Sequence, residues 1–271
     1  MDARTTPAPC GGCLAARQAH LRKLGLRVEQ WDAVVALAGN PNVGKSTIFN
    51  ALTGLRQHTG NWPGKTMMRA EGGFAYGERR YKLVDLPGTY SLLSASQDEE
   101  IARDFILFGR PDVTVVVADA TRLERNLNLV LQILQITDRV VLAVNLIDEA
   151  RAFGLSIDAR GLACDLGIPV VPTAARSGEG IGALLQVIHE VATGTSVCRP
   201  YRMEINVAGL REATADLAAA LRQAFPGVPQ ADWIAMRMLE GDPSVEEAIR
   251  DGSLGQLGRS GAAEPAGALT P

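Results

Sequence analysis

Apolar residues follow a repeating order along the chain, in which short continuous runs are separated by polar loops and by segments of helical periodicity. The continuous runs occur at 34–38, 113–118, 140–144 and 170–171. Runs of this kind are typical of strands that are buried on both faces of a parallel sheet. Residues 66–76 and 80–84 indicate two further strands joined by a turn at 77–79, and this hairpin predicts one antiparallel edge strand. The pattern therefore predicts an α/β fold with a mostly parallel, six-stranded sheet.

The segments outside this sheet predict a second, all-helical domain. Helical periodicity covers 206–225, 231–240 and 244–250. A stretch of small residues and Pro at 193–200 precedes these helices, so we expect an α/β domain at 33–199 and a helical domain at 200–252.

Three further segments lack a regular pattern. Residues 1–32 form an N-terminal extension that we expect to be partly disordered, and the Gly/Ala/Ser/Pro-rich residues 253–271 predict a disordered tail. Residues 55–65 are rich in Gly, His, Asn and Pro, which predicts a mobile loop.

Composition excludes several classes of protein. The chain has 271 residues, 46% of them hydrophobic and 21% charged, which is ordinary for a globular protein. A net charge of -3 and a pI near 5.7 argue against nonspecific binding to nucleic acid. The longest apolar runs reach about eight residues, whereas a membrane helix needs roughly twenty. Four cysteines and no visible signal peptide favour a cytoplasmic protein without a disulfide framework.

The most informative motif follows the first predicted strand. It consists of Gly39, Asn40, Pro41, Asn42, Val43, Gly44, Lys45 and Ser46, with Thr47 opening the next helix. Two glycines that bracket four residues before Lys-Ser are typical of a phosphate-binding loop, whose backbone N–H groups and helix N-terminus face phosphate oxygens. In this interpretation Lys45 reaches the outer phosphates and the Ser46 hydroxyl holds Mg²⁺. A glycine-rich turn in another α/β protein is the alternative.

Two further groups belong to the same predicted phosphate site. Asp85 ends the strand at 80–84, where its carboxylate can approach Mg²⁺ through water, and the Gly88 N–H can contact a terminal phosphate. Thr66 is the predicted second hydroxyl ligand of Mg²⁺, bound only while a third phosphate holds its loop. In isolation, Asp85 to Gly88 also fits an ordinary turn and Thr66 an ordinary start of a strand.

The next strands predict selection of guanine. Asp148 can accept two hydrogen bonds from the ring N–H and the exocyclic amine of guanine, and adenine offers no such pair of donors. Asn145 would brace the neighbouring loops, with Leu146 beside the base. Residues Thr173, Ala174 and Ala175 would close over the base through backbone contacts. Asn and Asp at strand ends also serve as turns and caps, so these signals gain their weight from occurring together.

These motifs resemble those of translation-factor-like GTPases, and more narrowly those of the cytoplasmic N-terminal part of FeoB-type ferrous-iron transporters. The resemblance rests on residues 39–47, 60–66, 85–92, 98–104, 119–127 and 233–242. It implies a Ras-like fold that binds GTP or GDP with Mg²⁺ and hydrolyses GTP. It also implies contact of Gly64, Lys65 and Thr66 with the nucleotide. Lys65 departs from the family, which usually has an apolar residue there.

The resemblance also implies a setting at a membrane. The helical domain would damp nucleotide release, and the chain would act on the cytoplasmic face of the inner membrane beside an iron permease. That permease would belong to the same full-length chain or to a partner subunit. Homo-oligomerisation and the role of Cys10 and Cys13, as a metal site, a redox pair or part of a plain tail, remain open from the sequence.

The residue after the Asp85–Gly88 turn suggests how hydrolysis proceeds. Thr89 occupies the position where many small GTPases place a Gln that orients the attacking water, so slow intrinsic hydrolysis is expected. Related enzymes without this Gln use K⁺, and Asn42 stands at the matching position for a K⁺ ligand. The alternative is that Asn42 only shapes its loop and does not bind K⁺. A ribosome- or RNA-maturation GTPase and a non-catalytic GTP switch are the competing functions.

Overall fold

The computed structural model describes residues 21, 26, 30–54, 57–62, 68–93, 96–203, 207–226, 228, 230–250, 252 and 254. These residues form two compact units, one within 24–204 and the other made of residue 21 and the residues from 207 onward. Most of the predicted N-terminal extension, with Cys10 and Cys13, and almost all of the predicted tail lie outside the described residues.

Strands and helices alternate through the first unit. Its strands are β1 Ala33–Gly39, β2 Gln57–Asn61, β3 Met68–Tyr76, β4 Arg79–Asp85, β5 Val113–Asp119, β6 Val140–Asn145 and β7 Val170–Pro172. Its helices are α1 Lys45–Thr53, α2 Gln97–Gly109, α3 Leu123–Ile136, α4 Ile147–Ala152, α5 Ala159–Leu166 and α6 Ile181–Thr193, with a 3₁₀ turn at Ala120–Arg122. This order confirms the predicted α/β architecture.

In the described residues the sheet has seven strands in the order β2-β3-β4-β1-β5-β6-β7. Strands β4, β1, β5, β6 and β7 run parallel, and β3 pairs antiparallel with both β2 and β4. The described sheet therefore has one strand more than the six predicted, and the predicted antiparallel edge is the β2–β3 side of the sheet.

The additional strand corrects the prediction of a mobile loop at 55–65. Residues 57–61 pair with β3 from Gln57↔Gly72 to Asn61↔Met68. The side chains of His58, Thr59 and Asn61 are exposed, so the strand is held by its backbone ladder. Without a buried face it has no alternating apolar pattern to indicate it.

The core of the first unit lies on both faces of the sheet. Alternate residues of the parallel strands point to opposite faces. Val35, Leu37 and Val115 face the layer that holds Ile48 of α1 and Ile188 of α6. Every residue of β1 is buried, which explains why the strand reads as a continuous apolar run.

The second unit contains α7 Ala208–Ala224, α8 Ala231–Leu239 and α9 Pro243–Arg250. In α8, Ile234 is fully buried, and Trp233 is half-buried with the Arg237 guanidinium 5.7 Å from its ring centroid. Leu239, the last residue of this helix, is 45% exposed.

No helix among the described residues has the length and apolar character that crossing a membrane requires.

Candidate functional site

The loops after five parallel strands open on one edge of the sheet. Because β1, β4, β5, β6 and β7 run in the same direction, their carboxyl ends lie together. In open α/β sheets this edge is where ligands bind. Among the described residues, the predicted phosphate, magnesium and base residues lie at or just after the ends of β1, β4, β6 and β7, so the topology brings them to one edge.

The loop between β1 and α1 is shaped by two residues with positive φ. Asn42 has φ 64° and Gly44 has φ 81°. A Cβ at Gly44 would lie 2.3 Å from the Asn145 side-chain nitrogen, so only glycine fits at this point of the loop. The residues between the two glycines therefore wrap tightly, as backbone binding of phosphate requires.

Helix α1 begins directly after this loop. Its first turn contains Lys45, with Ser46 and Thr47 exposed, and no acidic side chain occurs in that turn. The free N–H groups and the positive end of the helix dipole are therefore not offset by a neighbouring carboxylate of the same turn. This arrangement suits an anion placed at the helix N-terminus.

Lys45 and Asp85 form an ion pair across the site. The Lys45 Nζ donates to Asp85 Oδ1, and the two side chains are 12% and 15% exposed. Burial raises the pKa of the Asp85 carboxyl, and Lys45 opposes this rise through its charge and its hydrogen bond. The carboxylate thus lies where a cation stabilises it.

The loop after β4 is fixed to the end of β1. Leu86 N donates to Leu37 O at 2.9 Å, and Thr89 N donates to Gly39 O at 3.2 Å. A Cβ at Gly88 would lie 3.4 Å from the backbone of Pro41, so this turn lies against the phosphate loop. The Thr89 side chain is buried, and its hydroxyl donates to Ser91 O at 2.7 Å. That hydroxyl is therefore engaged within its own loop.

Gln132 of α3 holds the continuation of this loop. Its Oε1 accepts hydrogen bonds from Leu92 N at 2.7 Å and from Ser91 Oγ at 3.3 Å. The sequence analysis did not single out Gln132, because a polar residue on a helix at a separation of 40 positions has no local pattern that indicates such a contact.

Asn145 joins three segments. Its side-chain nitrogen donates to Val43 O of the phosphate loop at 3.0 Å. Its Oδ1 accepts from Ala175 N at 3.1 Å and from Thr173 Oγ1 at 3.3 Å. The side chain is 1% exposed. A single buried amide therefore fixes the phosphate loop and the loop after β7 relative to the end of β6.

The two predicted base-binding segments are adjacent. Leu146 takes φ 61° and precedes α4, and Ile147 N donates to Thr173 O at 3.2 Å. Asp148 lies in the first turn of α4 and is exposed, whereas Thr173, Ala174 and Ala175 are buried. An exposed carboxylate beside a rigid loop can accept hydrogen bonds from a ligand.

An ion pair that the sequence analysis missed links these segments on their outer side. Arg151 of α4 donates two hydrogen bonds to Glu179, at 3.0 and 2.7 Å. The hydrogen bonds from Arg151 lower the pKa of the Glu179 carboxyl. Glu179 O also accepts from Ala174 N at 3.0 Å, so the pair lies close to the predicted base contacts.

Asn40 is the polar residue of the phosphate loop that its surroundings leave unsatisfied. It is 3% exposed, and neither side-chain amide atom has a hydrogen-bond partner among the described residues. Buried amides are nearly always paired, so these atoms are available to a ligand or to water. Asn40 therefore fits a loop built to enclose a polar molecule.

Some predicted ligands cannot be placed. Gly64, Lys65 and Thr66 lie outside the described residues. Within the described part of the chain, no group of three or more His, Cys, Asp or Glu side chains could hold a metal ion. The oxygen atoms of Ser46 and Asp85 are nevertheless of the type that Mg²⁺ prefers when a ligand's phosphates supply the remaining contacts.

Comparison with known proteins matches this architecture to one family. The family model described as "Ferrous iron transport protein B" matches residues 33–188. The Fe(2+) transporter FeoB of Salmonella typhimurium (strain LT2) is 44% identical over 213 residues, which are 77% of this chain and 27% of that transporter. The chain thus aligns with about a quarter of the length of its curated relatives.

Three solved structures are also similar to the chain. The cytosolic domain of L. pneumophila FeoB has a TM-score of 0.73 and 37% identity, covering 83% of this chain and 88% of that one. The cytosolic domain of the T. maritima FeoB iron transporter in its GMPPNP form has a TM-score of 0.72 and 39% identity, covering 82% and 86% of the two chains. The same T. maritima domain in GDP form II has a TM-score of 0.73, 39% identity and the same coverage.

Proposed function

The chain belongs to the ferrous iron transport protein B (FeoB) family, and from this premise we propose that it binds GTP and GDP with Mg²⁺ and hydrolyses GTP slowly. The observation that carries the proposal is the Asn145 side chain, which ties the phosphate loop to the loop predicted to cover the base. The nucleotide complexes of the T. maritima domain support the same assignment.

Phosphate binding is assigned to the loop and to the start of α1. The N–H groups of residues 39–47 would face the phosphate oxygens, and Lys45 would exchange its contact with Asp85 for the outer phosphates. The Ser46 hydroxyl, the Thr66 hydroxyl and, through water, Asp85 would hold Mg²⁺. When bound, Mg²⁺ would supply positive charge that offsets the negative charge of the phosphates.

Base selection is assigned to Asp148. Its exposed carboxylate would accept the ring N–H and the exocyclic amine of guanine. Leu146 would lie beside the base, and the backbone at Thr173, Ala174 and Ala175 would cover it. Because Asn145 and the Arg151–Glu179 pair hold these segments together, the site would be largely preformed.

Hydrolysis is expected to be slow without additional charge at the γ-phosphate. Thr89 offers no amide to orient water, and its hydroxyl is already bound to Ser91 O. The Gly88 N–H would contact the γ-phosphate, and the exposed Asn42 side chain would hold K⁺ beside the phosphates. When bound, K⁺ would neutralise part of the charge that develops during phosphoryl transfer.

The setting of this activity follows from the relatives. As the chain aligns with only a quarter of their length, we place it at the cytoplasmic face of a membrane, beside an iron permease in the same protein or in a partner subunit. Residues 208–250 would slow nucleotide release. Nucleic acid is not an expected partner.

Calorimetric titration of the purified chain with GTP, GDP and ATP in Mg²⁺ tests the binding proposal. We expect GTP and GDP to bind and ATP to bind at least about a hundredfold more weakly, since the site would leave the Asp148 carboxylate unpaired. Equal affinity for ATP and GTP would contradict the proposal.

The rate of GTP hydrolysis in K⁺ compared with Na⁺ tests the role of Asn42. We expect K⁺ to accelerate hydrolysis in wild type and not in Asn42→Ala.

A matched variant tests the base contact directly. Asp148→Asn replaces an acceptor by an amide donor, which should weaken GTP binding and improve binding of xanthosine triphosphate, whose base carries a carbonyl in place of the amine. Asp158→Asn is the control, because Asp158 is the N-cap of α5 and its carboxylate accepts from Gly161 N. It should leave both affinities unchanged. An Asp148→Asn variant that keeps wild-type GTP affinity would exclude Asp148 from the site.

A further inference from the structure

Trp62 is buried at a point of the sheet where its neighbours are exposed. It directly follows the edge strand β2, whose His58, Thr59 and Asn61 side chains face solvent, yet Trp62 is only 3% exposed. A large aromatic residue buried at the end of an otherwise exposed edge strand must be covered by another element. The neighbours of the ring identify that element.

The Trp62 ring contacts two elements at once. The ring of Phe105 on α2 meets it edge-on, with centroids 5.6 Å apart and an interplanar angle of 76°. The Arg69 guanidinium of β3 lies 5.1 Å from the indole centroid. Both geometries are favourable, the first between aromatic quadrupoles and the second between a cation and a π face.

The contact with Arg69 extends into a buried ionic network. Arg69 Nε donates to Glu71 Oε1 at 2.6 Å, and Glu71 also pairs with Lys82 of β4. All three side chains are at most 14% exposed. The β3 side of the ring is therefore held firmly, and Phe105 is the contact through which the ring depends on α2.

The elements on either side of the ring lead to different parts of the site. Trp62 directly follows the Asn61–Met68 pair that ends the β2–β3 ladder, and α2 follows the loop that begins after Asp85 and contains Gly88. We propose that Trp62 is a positioning residue whose indole makes the Asn61–Met68 end of this ladder and α2 move together when the γ-phosphate is present. This inference rests on the proposed function, because it concerns the discrimination between GTP and GDP.

The indole nitrogen is a buried donor that has no hydrogen-bond partner among the described residues. A buried donor without a partner raises the free energy of the arrangement that contains it. A ring position in which the N–H reached an acceptor or water would recover that loss, and nucleotide contacts that favoured such a position would shift the ring toward it.

The test is the ratio of affinities for the non-hydrolysable analogue GMPPNP and for GDP, measured with the whole chain in Mg²⁺. We expect Trp62→Leu to lower this ratio about three- to tenfold, the factor that loss of an aromatic contact supplies. Trp62→Phe, which keeps an aromatic ring, should retain most of the ratio. Phe105→Leu should reproduce the loss, and the double variant should lose no more than either single variant.

Phe74→Leu is the matched control. Phe74 is a buried aromatic residue of β3, but its ring stacks on that of Tyr81 in β4, with the ring centroids 5.0 Å apart, and it is not part of the contact between Trp62 and Phe105. A purely structural effect would weaken both nucleotides equally in all these variants. An unchanged ratio in Trp62→Leu and Phe105→Leu, or additive losses in the double variant, would overturn the inference.

Intrinsic fluorescence supplies a readout independent of affinity. The chain has three tryptophans, so Trp31→Phe with Trp233→Phe leaves Trp62 alone. Its emission should differ between the GMPPNP and GDP complexes, and identical spectra would contradict the inference. A wild-type chain that binds neither nucleotide would contradict both the proposed function and this inference. Nucleotide binding with an unchanged ratio of GMPPNP to GDP affinity in Trp62→Leu and Phe105→Leu would contradict this inference alone.

Discussion

Two glycines bracket α1, and both adopt the left-handed backbone conformation. Gly44 has φ 81° before the helix and Gly54 has φ 61° after it. A Cβ at Gly44 would meet the Asn145 amide at 2.3 Å, whereas a Cβ at Gly54 would meet no atom within 4 Å. Substitution of Gly54 therefore measures the free-energy cost of the left-handed backbone conformation alone, whereas substitution of Gly44 adds the cost of displacing Asn145.

We expect Gly54→Ala to lower the free energy of unfolding by about 1 kcal/mol and to leave GTP affinity unchanged. Gly44→Ala should lower it by roughly 2 kcal/mol or more and weaken GTP binding at least about tenfold, because Asn145 must move. Urea unfolding and calorimetry measure the two quantities. Equal effects of the two substitutions on GTP affinity would show that the contact with Asn145 does not matter.

In the protein without nucleotide, removal of Lys45 and removal of Asp85 should lower the free energy of unfolding by different amounts. Lys45→Met leaves a largely buried carboxylate without its cation, which should lower the free energy of unfolding by about 2 kcal/mol at neutral pH. Asp85→Asn should change it by less than about 1 kcal/mol, because the long Lys45 side chain can turn its ammonium toward solvent. Equal losses in the two variants would contradict this interpretation.

The pH dependence of Lys45→Met follows from the direction of the Asp85 shift. Burial already raises the pKa of this carboxyl, and removal of Lys45 raises it further. A group whose pKa is higher in the folded than in the unfolded state adds stability as the pH falls through the folded value. The difference in free energy of unfolding between wild type and Lys45→Met should therefore narrow as the pH falls from neutral into the acidic range. A difference that stays constant would exclude Asp85 as its source.

At the scale of elements, the Arg151–Glu179 pair links α4 to the loop after β7. Both side chains are about half exposed, so the pair should contribute little to global stability. It nevertheless spans the two segments that would enclose the base. We expect Arg151→Ala to accelerate GDP release about two- to fivefold, as measured by stopped-flow with a fluorescent GDP, and high salt should reduce the difference.

The reversed pair provides the decisive comparison. Arg151→Glu combined with Glu179→Arg should restore slow release, whereas each single charge reversal should not. Because Arg151 lowers the pKa of Glu179, the pair stays ionised at neutral pH, and its effect should not vary between about pH 6 and 8. Arg202→Ala removes another ion pair, with Asp138, and should leave release unchanged. Faster release in Arg202→Ala would indicate a general charge effect.

Elements with local signals could be predicted from the sequence, and those held by long-range contacts could not. The phosphate loop, the hairpin β3–β4 and the buried strands each have a local pattern of glycine, turn or apolar residues. Strand β2 has exposed side chains and is fixed only by pairing with β3. Gln132 accepts a hydrogen bond from Leu92, 40 positions away, and Arg151 pairs with Glu179, 28 positions away. No periodicity in the sequence indicates either contact.

At the scale of the whole molecule, the first unit has a self-contained core. Every member of the hydrophobic cluster formed by β1, β5, α1 and α6 lies between residues 33 and 198. The segments that would bind phosphate and base belong to the same unit. The described residues of the second unit thus supply no part of this core, and the sequence pattern predicted a change to all-helical structure near residue 200.

A chain that ends after residue 204 should therefore fold and keep its preference for GTP over ATP, because its core and its site residues all remain. If residues 208–250 slow nucleotide release as proposed, GDP should dissociate several-fold faster from the shortened chain than from the full one. Thermal unfolding, calorimetry and GDP release measured together separate the two claims. A folded shortened chain that no longer binds GTP would place part of the site in the second unit, whereas unchanged GDP release would remove the regulatory role from α7, α8 and α9.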